Sequence, residues 1–315
     1  MNYPKLDSIE PITSLLPLKI LLVQLKLHTK HNLGVLHHIP LSGWLRNLVN
    51  GSDEFSQALV IDPLENSHHS FDSGDIYQFR IVFTPKGQAL VEDIIKQLIA
   101  LPNSANHLDP TMLFSNKLSL HALKDGVSNL PFHSTCELQP IGLKAISNAI
   151  DTIRNRKRLT LRFLTPAILR CINSGGQKGN KRYCRNRDDL SWPVLTERLS
   201  DSFIRLIETH SDTRYQRPSW PHGQAQAGVT IWHEYRYQQK KHHNKTFGGV
   251  LTELECELNS EMSDWQLALL YIGQYLGIGQ SRSFGFGLYQ IAEFEPSRFY
   301  PSHHVLNKEP NRLMK

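Results

Sequence analysis

The sequence predicts an α+β chain made of two units that each run β-α-β-β-α-β. Short runs in which apolar and polar residues alternate are separated by stretches of helical spacing, and the same order of the two periods occurs twice along 315 residues. At 40% hydrophobic, a chain of this length can bury a core in each unit.

Residues 1–16, punctuated by Pro4 and Pro11, have no period and read as a loose lead-in. From Ile20 to His28 the side chains of Leu21, Val23, Leu25 and Leu27 share one face, the period of a half-buried strand. His31-Asn32-Leu33-Gly34 turns the chain. Pro40 to Asn50 places Leu41, Leu45, Leu48 and Val49 on one helical face, and Asn50-Gly51 ends that helix. Phe55 to Ile61 is a weaker strand and Ile76 to Phe83 a clear one, with His68-His69 in the polar loop between them. Gly87 to Leu101 reads as a helix and Met112 to Leu123 as a strand. This completes one ferredoxin-like (RRM-like) unit over residues 17–130.

Asp125-Gly126 and Asn129-Leu130-Pro131 mark turns, and Ile141 to Ile153 reads as a helix within a connector over 131–156. The second unit, 157–296, repeats the plan. Leu159, Leu161 and Phe163 alternate in a strand. Trp192, Leu195, Leu199, Phe203 and Leu206 trace a helix that Ser191 can cap. Val229 to Tyr237 is the second strand, and Gly249 to Leu258 the third, with Glu253, Glu255 and Glu257 on one solvated face. Asp264 to Leu276 is the second helix, Phe286 to Phe294 the last strand, and residues 297–315 form a polar tail or linker.

A formal net charge of +6 and a pI near 9.1 favour a polyanionic partner, with nucleic acid first. Arg154, Arg156, Lys157, Arg158, Arg162 and Arg170 concentrate positive charge early in the second unit. Lys178, Lys181, Arg182, Arg185 and Arg187 continue it, with Tyr183 among them, a mixture suited to phosphates and an unpaired base. A second cluster holds Tyr235, Arg236, Tyr237, Lys240, Lys241, His242, His243 and Lys245. The four cysteines, at 136, 171, 184 and 256, have no zinc-ribbon spacing, and no acidic group has metal-ligand spacing, so no metal or cofactor is expected. The start lacks a signal-peptide pattern and no run reaches membrane-spanning length, which reads as a cytoplasmic protein with reduced thiols.

Between the last helix and the last strand lies Gly277-Ile278-Gly279-Gln280-Ser281-Arg282-Ser283-Phe284-Gly285-Phe286-Gly287. Its two Gly-apolar-Gly triplets let the backbone take positive φ and approach a ligand closely, and Arg282 supplies a charge. It follows a helix and opens a strand, the reverse of the dinucleotide fingerprint.

Together with Phe247-Gly248-Gly249 and Leu159-Thr160-Leu161-Arg162-Phe163-Leu164-Thr165-Pro166, this loop resembles the CRISPR precursor-RNA processing endoribonucleases of the repeat-associated (RAMP) superfamily. Pro40 to Leu48 resembles that family's first helix, and Phe71-Asp72-Ser73-Gly74-Asp75 precedes a strand as it does there. The resemblance implies tandem ferredoxin-like domains and a metal-independent cut within each CRISPR repeat. A 2′-hydroxyl attacks the adjacent phosphate, leaving a 2′,3′-cyclic phosphate, a 5′-hydroxyl and a mature guide RNA. It further implies a catalytic histidine near the first helix, where His37-His38 stand in an exposed loop bordering a cleft, with His31 and His28 as substitutes. Lys240 would steady the charge on phosphorus. Gly277, Gly279, Arg282, Gly285, Gly287, Lys178, Lys181, Arg182, Arg185, Arg236, Lys241 and His242 would hold the RNA. A non-catalytic repeat-RNA or guide-RNA binder in a CRISPR effector complex is the alternative. Some relatives are fused to a reverse transcriptase and a spacer integrase, which makes those proteins expected partners as well.

Overall fold

The structure is a computed structural model and describes residues 8–33, 36–50, 54–64, 70–101, 118–172, 182–238, 244–292 and 294; the side chains of 235–238, 244 and 245 lie outside the description. In chain order the first half holds β1 (Lys19–Leu27), β2 (His31–Asn32), α1 (His38–Leu48), α2 (Phe55–Ala58), β3 (Leu59–Asp62), β4 (Ser70–Phe71), β5 (Ile76–Phe83), α3 (Gln88–Ala100) and β6 (Leu118–Asp125). After α4 (Leu143–Arg154) come β7 (Arg158–Phe163), α5 (Trp192–Ser211), β8 (Gln224–Ala227), β9 (Ile231–Gln238), β10 (Asn244–Leu251), β11 (Glu253–Glu257), α6 (Asp264–Leu276) and β12 (Tyr289–Ile291).

The α+β class holds, with antiparallel pairing in both main sheets. One four-stranded sheet runs β3-β5-β1-β6 and the other β12-β7-β11-β8. In the first, the period-2 pattern of β1 sends Leu21, Val23, Leu25 and Leu27 into a core with Trp44 and Leu45 of α1 and Val91, Ile94 and Leu98 of α3. From the same sheet Ile20, Val60 and Val82 join a second core that also holds α4, α5, α6 and the β7 sheet. The two halves of the chain therefore share apolar surface.

Several expectations are corrected. Within the expected loose lead-in, Glu10–Leu15 forms a 3-10 turn with Ile12 and Leu15 fully buried, packed on α5, and residues 1–7 lie outside the described residues. Six residues are too few to display a period. Phe55 to Ile61 is half helix, half strand, and α1 begins at His38, two residues before Pro40, which is tolerated in a first turn where no N–H is needed. Ser191 stands at the start of α5 but makes no side-chain cap, whereas Ser263 and Gln266 close a reciprocal capping box on α6.

The largest correction concerns Val229 to Tyr237. That pattern is β9, which among the described residues pairs only with β10 as a separate two-stranded ribbon, and the second strand of the sheet is the polar Gln224–Ala227. The expected strand Gly249 to Leu258 divides at Thr252 between the ribbon and the sheet. The last strand is three residues long, and the first part of the expected Met112 to Leu123 strand lies outside the described residues. Glu253, Glu255 and Glu257 do share one face, opposite Arg158 and Arg162 of β7. Among the described residues no helix is long and apolar enough to cross a membrane.

On the far side of the first sheet, Asp62 of β3 lies opposite Arg80 of β5, and its carboxylate accepts from Arg80 Nε at 2.8 Å. Both residues are buried, at 4% and 5% exposure. Removing one partner of such a pair leaves a desolvated charge, so Asp62→Ala is expected to lower the unfolding free energy by about 3–5 kcal/mol. Urea denaturation at constant slope measures this, and a loss below about 1 kcal/mol would show the pair to be solvated.

Candidate functional site

The loop that joins α6 to β12 is fixed by main-chain contacts. Gly277 ends α6 by donating its N–H to Gly273 O at 2.9 Å, and Gly277, Gly279, Gly285 and Gly287 all have positive φ. At Gly287 a Cβ would stand 1.9 Å from Ile278 O, because Ile278 N donates to Gly287 O across the loop at 2.9 Å. At Gly285 a Cβ would meet Ile61 O at 2.4 Å, so the loop lies directly on edge strand β3 of the other sheet. The positive φ expected from sequence is present, and the close neighbours that demand glycine at these two positions are carbonyls of this chain. Arg282 does not project from the loop tip. Its guanidinium carbon lies 5.8 Å from the centre of the Phe203 ring of α5, and burial lowers its pKa to about 10.

Helix α1 abuts this loop. Ser42 Oγ donates to Ser283 O at 3.3 Å, and one turn earlier the His38 ring packs edge-on against Phe286 at 4.8 Å. Phe286 stacks in turn on Phe247 of β10, 5.8 Å away, in a small apolar layer with Leu36, Ile39 and Ile168. The expectation of exposed histidines is thereby corrected: His37 is 1% and His38 0% exposed. His37 packs edge-on against Tyr77 at 5.6 Å. Neither nitrogen of His38 has a hydrogen-bond partner among the described residues. Burial first, then the neighbouring His37, pushes the His38 pKa down to about 3, so the ring is neutral at pH 7. His31 is buried in β2, and exposed His28 holds Ser119 Oγ at 2.9 Å through Nε2.

The basic residues divide into paired and unpaired sets. Arg158 reaches Glu255 at 3.1 Å and Glu257 at 2.8 Å, and Arg162 pairs with Glu253. Arg154 pairs with Asp264, and Arg182 with Asp189. Arg185 lies 5.1 Å over the Trp232 ring of the ribbon. With the Gln280 amide oxygen turned toward Arg170, Nε and Nη2 of that arginine both donate to it at 2.6 Å, and the amide nitrogen donates to the Tyr183 hydroxyl at 3.1 Å. Lys178, Lys181, Lys240, Lys241 and His242 lie outside the described residues, as do the side chains of Tyr235, Arg236 and Tyr237. Among the described residues no three or more His, Cys, Asp or Glu side chains gather as a metal-binding group.

Solved structures share this arrangement of sheets. A chain of a partial Cas6-RT-Cas1–Cas2 complex superposes with a TM-score of 0.61 at 19% identity, covering 87% of this chain and 46% of that one. A Cas6 product complex superposes at 0.55 with 17% identity, covering 87% of this chain and 99% of that one. This chain has the Cas6 fold. A further Cas6-RT-Cas1–Cas2 complex gives 0.61 and 19%, with 28% of that chain covered, so this chain spans less than half the length of either of those chains. No family model and no curated protein matches the sequence.

Two outcomes follow from the packing. His38 is uncharged when folded and has an ordinary value of 6.5 when unfolded, so the unfolded chain binds the extra proton as pH falls. Its contribution to stability is complete above pH 6.5 and declines by about 1.4 kcal/mol per pH unit between 6.5 and about 3. Urea denaturation at pH 7 and pH 5.5 should therefore separate the wild type by about 1.4 kcal/mol more than His38→Phe; equal separations would mean that the ring is solvated. Separately, Gly285→Val forces a side chain at φ +85° against Ile61 O, and a loss of at least about 2 kcal/mol is expected by the same method. An unchanged midpoint would place the loop away from β3.

Proposed function

We propose that the chain is a metal-independent endoribonuclease that cuts CRISPR repeat RNA in precursor transcripts. One observation carries the reading: in the Cas6 fold, matched over 99% of the chain in a Cas6 product complex, His38 at the start of α1, next to His37, lies against the glycine loop. We read residues 17–130 and 157–296 as tandem ferredoxin-like domains, with 1–16, 131–156 and 297–315 as lead-in, connector and linker.

In this reading a ribose 2′-hydroxyl attacks the adjacent phosphorus, the bond to the 5′-oxygen breaks, and the products end in a 2′,3′-cyclic phosphate and a 5′-hydroxyl. His38, with His37 as its neighbour, takes the 2′-hydroxyl proton, and a histidine of the pair in its protonated form gives a proton to the departing 5′-oxygen. Lys240 steadies the phosphorane, and the glycine loop with Arg282, Arg182, Arg185, Arg236 and the lysine segments holds the strand. A neutral imidazole suits the base, and contact with RNA requires the His38–Phe286 packing to part. Exposure would then return its pKa toward 6.5. The partners are repeat RNA and, as in the Cas6-RT-Cas1–Cas2 complexes, a reverse transcriptase and spacer integrase. The setting is cytoplasmic.

The burial of His38, with both nitrogens lacking partners among the described residues, favours a second reading, a repeat-RNA binder that does not cut. Incubation with cognate repeat RNA in EDTA and mapping of product ends separates them. Cyclic-phosphate ends that slow by about 10²–10⁴ in His38→Ala are expected for the nuclease. Bound but intact RNA selects the binder, and absence of binding removes both.

A further inference from the structure

A pocket of ≈ 390 Å³ opens between α5 and the glycine loop. His37 and His38 do not line it. Four guanidinium groups do: Arg170 beyond β7, Arg198 and Arg205 on α5, and Arg282 of the loop. The volume lies in the range of small-ligand sites, about 300–1,000 Å³, and exceeds what one inorganic anion fills. Arg198 and Arg205 belong to no basic run in the sequence. Their spacing with Ser202, at i, i+4 and i+7, sets them along one face of α5.

The charges in this pocket are poorly balanced. Asp201 is the one carboxylate in its lining among the described residues; with Glu197 outside the pocket it balances Arg198, whose Nη1 lies 2.7 Å from Asp201 and Nη2 3.0 Å from Glu197, and Arg217, so the imbalance lies with the other three arginines. Arg170, Arg205 and Arg282 have no carboxylate within ion-pair distance among the described residues. Arg198 is 15% exposed, and its buried Nε has no hydrogen-bond partner among the described residues. Three guanidinium groups without a carboxylate around one cavity repel one another unless an anion lies between them, and their planar forks match a tetrahedral oxoanion. Ser202, Ser281 and Ser283 add hydroxyl groups to the lining.

We propose that this pocket is an oxoanion site that takes a phosphate group, with its attached ribose, from RNA bound by the chain. The proposal rests on the RNA-binding reading above and extends it. Ser283 lines the pocket while its carbonyl accepts from Ser42 of α1, so a strand passing His38 reaches the pocket by crossing a single loop. An RNA phosphate therefore suits the pocket better than a free metabolite.

The test uses the full chain, cognate repeat RNA and inorganic phosphate as probes, with Arg205→Ala, Arg205→Lys and Arg282→Ala as variants. Arg205 is exposed, so its replacement leaves the core intact. Arg205→Ala and Arg282→Ala are each expected to weaken RNA binding about tenfold and to reduce the slope of log affinity against log salt by about 0.7. Arg205→Lys, which keeps the charge and loses the fork, should recover the salt slope but only part of the affinity. Inorganic phosphate should raise the wild-type melting temperature and compete with RNA. Wild-type affinity and salt slope in both alanine variants would overturn the pocket and leave the RNA-binding reading standing. If the wild type binds no RNA, that reading falls; an Arg205-dependent rise in melting temperature with phosphate would then assign the pocket to a free phosphate compound and overturn its assignment to RNA.

Discussion

The structure depends on a close approach of backbone to backbone. Gly285 lies against the carbonyl of Ile61 and Gly287 against that of Ile278, at separations that no side chain permits. Through these contacts the loop between α6 and β12 becomes the joint at which β3 of the first sheet, α1 and the segment after β7 meet. Gln280 N donates to Ile168 O at 3.0 Å and Gly287 N to Pro166 O at 2.9 Å, so the joint is hydrogen-bonded on its second-sheet side as well. Side-chain packing then continues across the same seam, where Ile20, Val60 and Val82 join the larger core.

That joint governs the histidines. Once Phe286 is placed by the glycines beside it, the first turn of α1 has an aromatic ring over His38 and a stacked Phe247 behind. Burying an imidazole with no hydrogen bond is costly, and the cost falls on its charged form most heavily. The resulting neutral ring is a poor acid and a sheltered base. Whatever chemistry it performs is tied to movement of one aromatic contact, and the apolar cover of the histidine is the part of the site with most leverage over it.

Much of the fold was legible because period reveals burial. β5 and α6 occupy the residues their patterns indicated, and β1, α4 and β7 lie within two residues of theirs. The sheet strand Gln224–Ala227 was not legible, since a short polar edge strand has no apolar face to display, whereas Val229 to Tyr237 alternates well and yet lies outside the sheet. Alternation reports strand geometry without naming a partner. For the site, the glycines announced positive φ but not what lay opposite them. The burial of His38 comes from Phe286 and Phe247, more than 200 positions away, which no local window contains. Arg198 and Arg205 were hidden for a related reason: on a helix the neighbours that matter are a turn apart, while a basic run is recognised by adjacency.

The ladder of Arg158 and Arg162 against Glu253, Glu255 and Glu257 changes the meaning of the molecule's excess charge. On that face of the second sheet two cations meet three anions, so arginines that weigh in the composition contribute no positive field there. The excess is not spread evenly over the surface. A polyanion drifting toward this protein would feel little pull from the open face of the sheet, whereas Arg170, Arg205 and Arg282, around the pocket beside the glycine loop, stand without a carboxylate partner among the described residues. The acidic strand thus acts as a blank that gives the protein a front and a back.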